Sequence, residues 1–277
     1  MTSSPWTHHR SASVADDVDF EIKGQELQFV EIELDPGESA IAEAGALVWK
    51  DATVEMTTVF GDGSGGQGAG FMGKLLGAGK RLITGESLFT TVFTHQGQGK
   101  AKVAFASPTP GAILPLHLAD IGGTLICQKD SFLAAARGVS IGVQFQRRVM
   151  TGLFGGEGFI MQRLDGDGWV FVQMGGTVVE RELGPGEEIH VDTGCLAAYT
   201  PSVDFDLVMA GGVKSVFFGG EGLFFARLRG PGKVWVQSLP FSRLAGRMLA
   251  AAGGTGGQNR GEGSILGELG DLIGGNR

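Results

Sequence analysis

Two segments of the chain, "GLFGGEGFIMQRL" and "SVFFGGEGLFFARL", carry the same GGEG tetrapeptide, with Gly156 and Glu157 falling on Gly220 and Glu221 (220 − 156 = 64). The likeness continues in register, because Gln173 of "WVFVQ" and Gln237 of "VWVQ" are again 64 residues apart. A second pair is offset by 149 at Leu34 and Leu183 (183 − 34 = 149): "ELDPGESAIAEAGALVWKDATVEMTTV" from Glu33 and "ELGPGEEIHVDTGCLAAYTPSVDFDLV" from Glu182. Pro36-Gly37-Glu38 lands on Pro185-Gly186-Glu187, and Gly45 on Gly194. Between them, His117 to Val143 is a weaker third copy, with Leu118 leading and Phe132-Leu133-Ala134 matching Cys195-Leu196-Ala197. "GESLFTTVF", Gly85 to Phe93, is the first copy's equivalent of the GGEG strand. A unit written three times in tandem has to bury its seams against its neighbours.

Inside each copy apolar residues alternate: Val54 and Met56; Val139, Ile141 and Val143; Val203, Phe205 and Leu207. Period two means half-buried strands. The PG and GDG steps supply turns, since proline presets φ and glycine takes positive φ. The expected fold class is all-β, with three tandem β-sandwich or double-stranded β-helix-like repeats and short peripheral helices. The expected domains are a disordered N-terminal lead (1–17), a first repeat (18–107) holding a glycine-rich insert (61–83), a second repeat (108–174), a third repeat (175–240) and a glycine-rich C-terminal tail (241–277) with short amphipathic helices.

Glycine is the compositional anomaly, 49 of 277 residues where about 7% is usual. The net charge of −8 argues against a sequence-independent grip on nucleic acid, which needs clustered Lys and Arg. Cys127 and Cys195 have no CxxC spacing and suggest neither a disulfide framework nor a zinc site, which fits a reducing, cytoplasmic setting. No run of 18 apolar residues exists, and residues 1–17 lack the apolar stretch of a secretory signal.

Several motifs resemble sites and have plainer explanations. "GAGFMGK" (Gly68 to Lys74) has phosphate-loop spacing, but Leu75 stands where magnesium chemistry needs Ser or Thr. "GDGSGG" (Gly61 to Gly66) matches a dinucleotide-loop pattern without a strand-helix-strand context. His95, His117 and His190 show no metal-ligand spacing and read as structural or solvated strand residues. Glu157, Glu221 and Glu86 occupy matching places, so they read as copied turn residues that accept backbone N–H groups rather than as an acid-base pair. Gly156 and Gly220 beside them are structural repeat positions. No GxSxG elbow is present. Arg147, Arg148, Arg163, Arg227, Arg229 and Lys233 form the best basic cluster, but Arg163 and Arg227 are repeat-equivalent, as copied outward positions would be. No catalytic residue, cofactor or metal is therefore expected.

Three apolar stripes have helical spacing. The first holds Phe71, Met72, Leu75, Leu76, Leu82 and Ile83; the second, after Ser242, holds Leu244, Ala245, Met248, Leu249 and Ala252; the third holds Ile265, Leu266, Leu269, Leu272 and Ile273. Each is too short to be stable alone in water. They need cover from the protein's own body, a sister subunit, a protein partner or a bilayer surface. Phe71, Met72, Leu75, Leu76, Leu266 and Leu269 are the residues expected at such an interface or membrane contact.

"ELDPGESAIAEAGALVWKD", "GESLFTTVF", "GGEGLFFARLRGPGKVWVQSLP" and "GEGSILGELGDLIGG" together resemble the altered-inheritance-of-mitochondria protein 24 family, which has many bacterial members; the likeness spans about 18 to 277. The resemblance implies a fold similar to the tryptophan RNA-binding attenuation protein in three tandem copies, and assembly as a trimer. Mitochondrial members are associated with inner-membrane organisation, and no catalytic residues carry over. The expectation is a non-enzymatic scaffold or interaction protein that forms a homotrimer in the cytoplasm. The alternatives are an envelope-organising protein peripheral to the inner membrane, or a β protein that binds RNA, a metal or a small ligand.

Overall fold

The computed structural model describes residues 15–60, 89–147, 159–209 and 224–252. The fold is all-β, and its strands recur in sets of six. After β1 (Asp19–Lys23) come β2 (Phe29–Leu34), β3 (Ser39–Glu43), β4 (Leu47–Lys50), β5 (Val54–Phe60), β6 (Phe89–His95) and β7 (Ala101–Ala106). The second set is β8 (Gly111–His117), β9 (Thr124–Gln128), β10 (Phe132–Ala136), β11 (Ser140–Arg147), β12 (Phe159–Asp165) and β13 (Trp169–Gly175). The third is β14 (Val178–Leu183), β15 (Glu188–Asp192), β16 (Leu196–Tyr199), β17 (Asp204–Met209), β18 (Phe224–Arg229) and β19 (Gly232–Gln237), followed by helix α1 (Phe241–Ala252).

These strands build four sheets: sheet 1, β1-β2-β7-β4; sheet 2, β5-β6-β3-β10-β13-β8; sheet 3, β11-β12-β9-β16-β19-β14; and sheet 4, β15-β18-β17. The two six-stranded sheets each join halves of consecutive sets. In sheet 2, β3 of the first set pairs antiparallel with β10 of the second; in sheet 3, β9 of the second pairs with β16 of the third. Each seam is therefore a continuous hydrogen-bonded sheet rather than a contact between finished sandwiches.

Three apolar clusters lie between successive sheets. Ile32, Leu34 and Phe105 of sheet 1 meet Ala42, Phe93 and Phe171 of sheet 2; Ile41 and Val172 of sheet 2 meet Cys127, Leu164 and Trp235 of sheet 3; Met161 and Tyr199 of sheet 3 meet Leu207 and Leu228 of sheet 4. Sheets 2 and 3 are thus apolar on both faces. Neighbouring residues of one strand serve different clusters, as Ala40 and Ala42 do on one side and Ile41 on the other. Such strands read as unbroken apolar runs, which accounts for the fully buried "TLICQ" of β9 and "FLAAA" of β10.

The pairings fix the repeat register and correct one sequence alignment. Phe132 lies opposite Val172 and Leu196 opposite Val236, so Phe132 corresponds to Leu196, not to Cys195. The match made by letters was one residue out of phase, and a one-residue slip reverses every side chain in a strand. A β-bulge occurs at the same place in all three sets, at Leu47/Trp49, Phe132/Ala134 and Leu196/Ala198. The PG turn is copied too. Gly37 and Gly186 sit at positive φ, 90° and 78°, as a turn with proline before glycine requires. Oε2 of Glu38 accepts the Asp35 amide at 2.8 Å, and Oε2 of Glu187 accepts the Gly184 amide at 3.0 Å. The turn-capping role expected of Glu157 and Glu221 is visible at this other repeated glutamate. The second helical stripe forms α1, which begins at Phe241 rather than after Ser242.

Candidate interaction site

The residues singled out at the sequence level fall into two groups. Phe71, Met72, Leu75, Leu76, Leu266, Leu269, Gly156, Glu157, Gly220 and Glu221 lie outside the described residues. The histidines are described, and the fold keeps them apart. His95 is buried at the end of β6, where the Gly97 amide donates to Nδ1 at 3.3 Å and Nε2 contacts the Gly99 carbonyl at 3.0 Å. His117 packs on Trp169 and reaches Asp120 at 3.5 Å, whereas His190, in a different sheet, contacts Glu188 at 3.2 Å. Among the described residues no group of three His, Cys, Asp or Glu could hold a metal. Three of the basic residues are paired with separate carboxylates, Arg163 with Asp165 at 2.7 Å, Arg227 with Asp206 at 3.2 Å and Lys233 with Glu180 at 2.8 Å, and Arg148 lies outside the described residues.

Two titratable groups are displaced at the seam of sheets 2 and 3. Burial, then repulsion from Asp130, pushes the Glu43 carboxyl up to about 7. Gln173 Nε2 donates to the Asp130 carbonyl at 2.9 Å and reaches Glu43 Oε2 at 3.5 Å. Burial, reinforced by Glu43, pushes the Cys127 thiol up to about 12, which makes it a poor nucleophile. An open cleft of about 420 Å³ lies over Tyr199, Phe205 and Phe145 between sheets 3 and 4. Its rings pack on one another, Phe145 with Phe205 at 5.3 Å and Tyr199 with Phe205 at 5.5 Å.

The feature that most departs from the repeat pattern is at the ends of the sheet series. β4, β10 and β16 are equivalent strands, and so are β3, β9 and β15. β10 and β16 are fully buried by pairing with β3 and β9, whereas β4 is largely exposed and β15 is only partly buried, with Glu188 and His190 exposed. Sheet 1 has β4 as its edge and sheet 4 has β15. Val48 is 52% exposed and Trp49 37% exposed, whereas their equivalents Leu133 and Ala134 are wholly buried. An apolar strand at an open edge is a ready template for pairing.

The other face of sheet 1 carries an ion-pair lattice. Glu31 receives Lys102 at 2.7 Å and Lys23 at 3.0 Å, and hydrogen bonds from Lys102 and then Lys23 hold its carboxyl below the usual range. Lys100 bridges Glu33 at 2.6 Å and Asp19 at 3.0 Å.

A family profile described as "Mitochondrial biogenesis AIM24" matches residues 20–239. The chain belongs to the AIM24 family. An uncharacterised protein of Streptococcus pyogenes serotype M6 is 29% identical over 229 residues, covering 82% of this chain and 87% of its own length. The crystal structure of a Streptococcus pyogenes protein superposes with a TM-score of 0.67 at 26% identity, covering 84% of this chain and 99% of that one. The profile spans nearly all of the strands described above, so the six-strand sets are a property of the AIM24 region rather than an addition to it.

Proposed function

We propose that this AIM24 protein is a non-enzymatic scaffold that assembles from copies of itself, as a homotrimer in the cytoplasm. The observation that carries the reading is the pair of half-built sheets. Among the described residues, sheets 2 and 3 each have six strands, whereas sheet 4 offers only the first half of such a sheet and sheet 1 only the second, extended by β1. A repeat protein either caps its terminal units with a polar face or continues through a neighbour, and Val48 and Trp49 on β4 make a poor cap. The trimer is the assembly that the family resemblance implies. Sedimentation at micromolar concentration tests the proposal: three times the 28.9 kDa chain mass supports it, and a single-chain mass removes it.

A second reading, attachment to a membrane surface, draws support from α1. Phe241 is 54% exposed and Met248 62% exposed, and they lie seven residues apart on one helical face. The helix carries Arg243 and Arg247 and no acidic residue, a pattern suited to lying on anionic lipid. No helix among the described residues is long and apolar enough to cross a membrane. Co-sedimentation with anionic but not neutral vesicles would support this reading, and sedimentation with neither would end it.

A further inference from the structure

We infer that the two open edges are complementary: β4 of one copy pairs antiparallel with β15 of a second copy, in the register that joins β10 to β3 and β16 to β9. This rests on the self-assembly reading above and specifies its surface. Joined this way, sheet 4 of one chain and sheet 1 of the next give the order β17-β18-β15-β4-β7-β2-β1, whose first six strands repeat the order of sheets 2 and 3. The two internal seams agree in register. Ala134 lies opposite Ala42 in the first and Ala198 opposite Cys127 in the second, and these are equivalent positions. Carried to the open edges, that register places Trp49 opposite Val191, Lys50 opposite His190 and Asp51 opposite Ile189.

Side-chain sizes support the match. Just past the bulge, each set pairs one aromatic residue with one alanine: Ala134 with Phe171, Ala198 with Trp235, and Trp49 with Ala104. In the second and third sets the aromatic residue packs into the cluster of the preceding set, Phe171 into the first and Trp235 into the second, and both are buried. In the first set the aromatic residue has moved to the edge strand, no set precedes it among the described residues, and Trp49 is exposed. The third cluster, to which Val191 contributes, is the one that a preceding chain would offer. Charge agrees as well, since Lys50 would lie opposite His190 and diagonally between Glu188 and Asp192. The ion pairs on sheet 1 do not block the junction, because Lys233 and Glu180 hold the places of Lys102 and Glu31 at the internal seam of sheet 3 and remain at its rim. The contact is heterologous, so chains add head to tail until the ring closes.

Disulfide trapping tests the register. At the internal seam the Arg137 amide bonds to the Ser39 carbonyl at 3.0 Å, so the adjoining Ala136–Ala40 pair is the closely spaced, non-hydrogen-bonded kind. Its counterpart at the open edges is Asp51 with Ile189, a spacing that suits a disulfide. A chain carrying Asp51→Cys and Ile189→Cys, with Cys195→Ser, is expected to give a reducible covalent trimer on mild oxidation. The out-of-phase pair, Asp51→Cys with His190→Cys, is expected to give several-fold less. Trp49→Glu is expected to reduce the sedimenting mass to that of one chain with the circular dichroism unchanged. An oligomer that cross-links equally in both registers, or that keeps its mass with Trp49→Glu, overturns the pairing while leaving self-assembly standing. A single-chain mass for the unmodified protein overturns both.

Discussion

Trp235 offers a direct measure of how much the shared sheets contribute to stability. Its side chain is 1% exposed and lies in the cluster between sheets 2 and 3, and its Nε1–H donates to Glu180 Oε2 at 2.9 Å. Truncating a buried tryptophan to alanine costs about 3–5 kcal/mol through lost transfer energy and the cavity left behind. The hydrogen bond adds less, on the order of 0.5 kcal/mol, because Glu180 is partly exposed and keeps its ion pair with Lys233. Trp235→Ala is therefore expected to lose about 4–5 kcal/mol, and Trp235→Phe, which keeps an aromatic ring in place, about 1–2 kcal/mol. Urea unfolding followed by far-ultraviolet circular dichroism, at one fixed protein concentration, reads both values. The reasoning fails if Trp235→Ala costs less than about 1 kcal/mol, the scale of an exposed site, because sheet 3 could not then be a two-faced core layer.

Two further expectations concern the seam beside Glu43. Its carboxyl titrates at about 7 in the folded chain against an ordinary value of 4.5, so the folded state holds the proton more tightly. That stabilisation is complete below about pH 4.5 and is lost as pH rises through 7, a change on the order of 3 kcal/mol. Glu43→Gln should remove this pH dependence and be the more stable protein at pH 8; equal slopes for the two proteins between pH 5 and 8 would reject the assignment. Cys127 should alkylate with iodoacetamide only as fast as the protein opens, given its burial and raised thiol. Labelling within minutes under native conditions, located by peptide mass, would contradict its place in the core.

The all-β class was legible because glycine-marked turns and period-two strands both leave a mark in the letters. The 149-residue offset read at Leu34 and Leu183 is the offset between β2 and β14, and the 64-residue offset at Gln173 is that between β13 and β19. Alternation held around β17, where Val203 and Leu207 are buried and Asp204 and Asp206 exposed, but it failed at Met56 of β5 and Val143 of β11, which were expected on the dry face and are exposed. It was silent for β9, β10 and β16, where both faces are dry and "LAAA" or "LAAY" gives no phase. A match on letters alone therefore sets Phe132 one residue out of phase with Leu196. The open edges were invisible for a different reason. "LVWK" and "FLAAA" are equivalent strands, and only the pairing pattern reveals that one of them has lost its neighbour. The exchange of Trp49 and Ala104 for Ala134 and Phe171 was the available signal, and it needs the bulge register to be seen.

Because sheets 2 and 3 each draw three strands from one set and three from the next, no cut through the chain separates finished pieces. A strand deleted from one set would leave a gap in a layer that its neighbour also relies on. Duplications or losses in this lineage could leave every layer whole only by adding or removing an entire six-strand block, so the chain can lengthen or shorten only in steps of one complete layer.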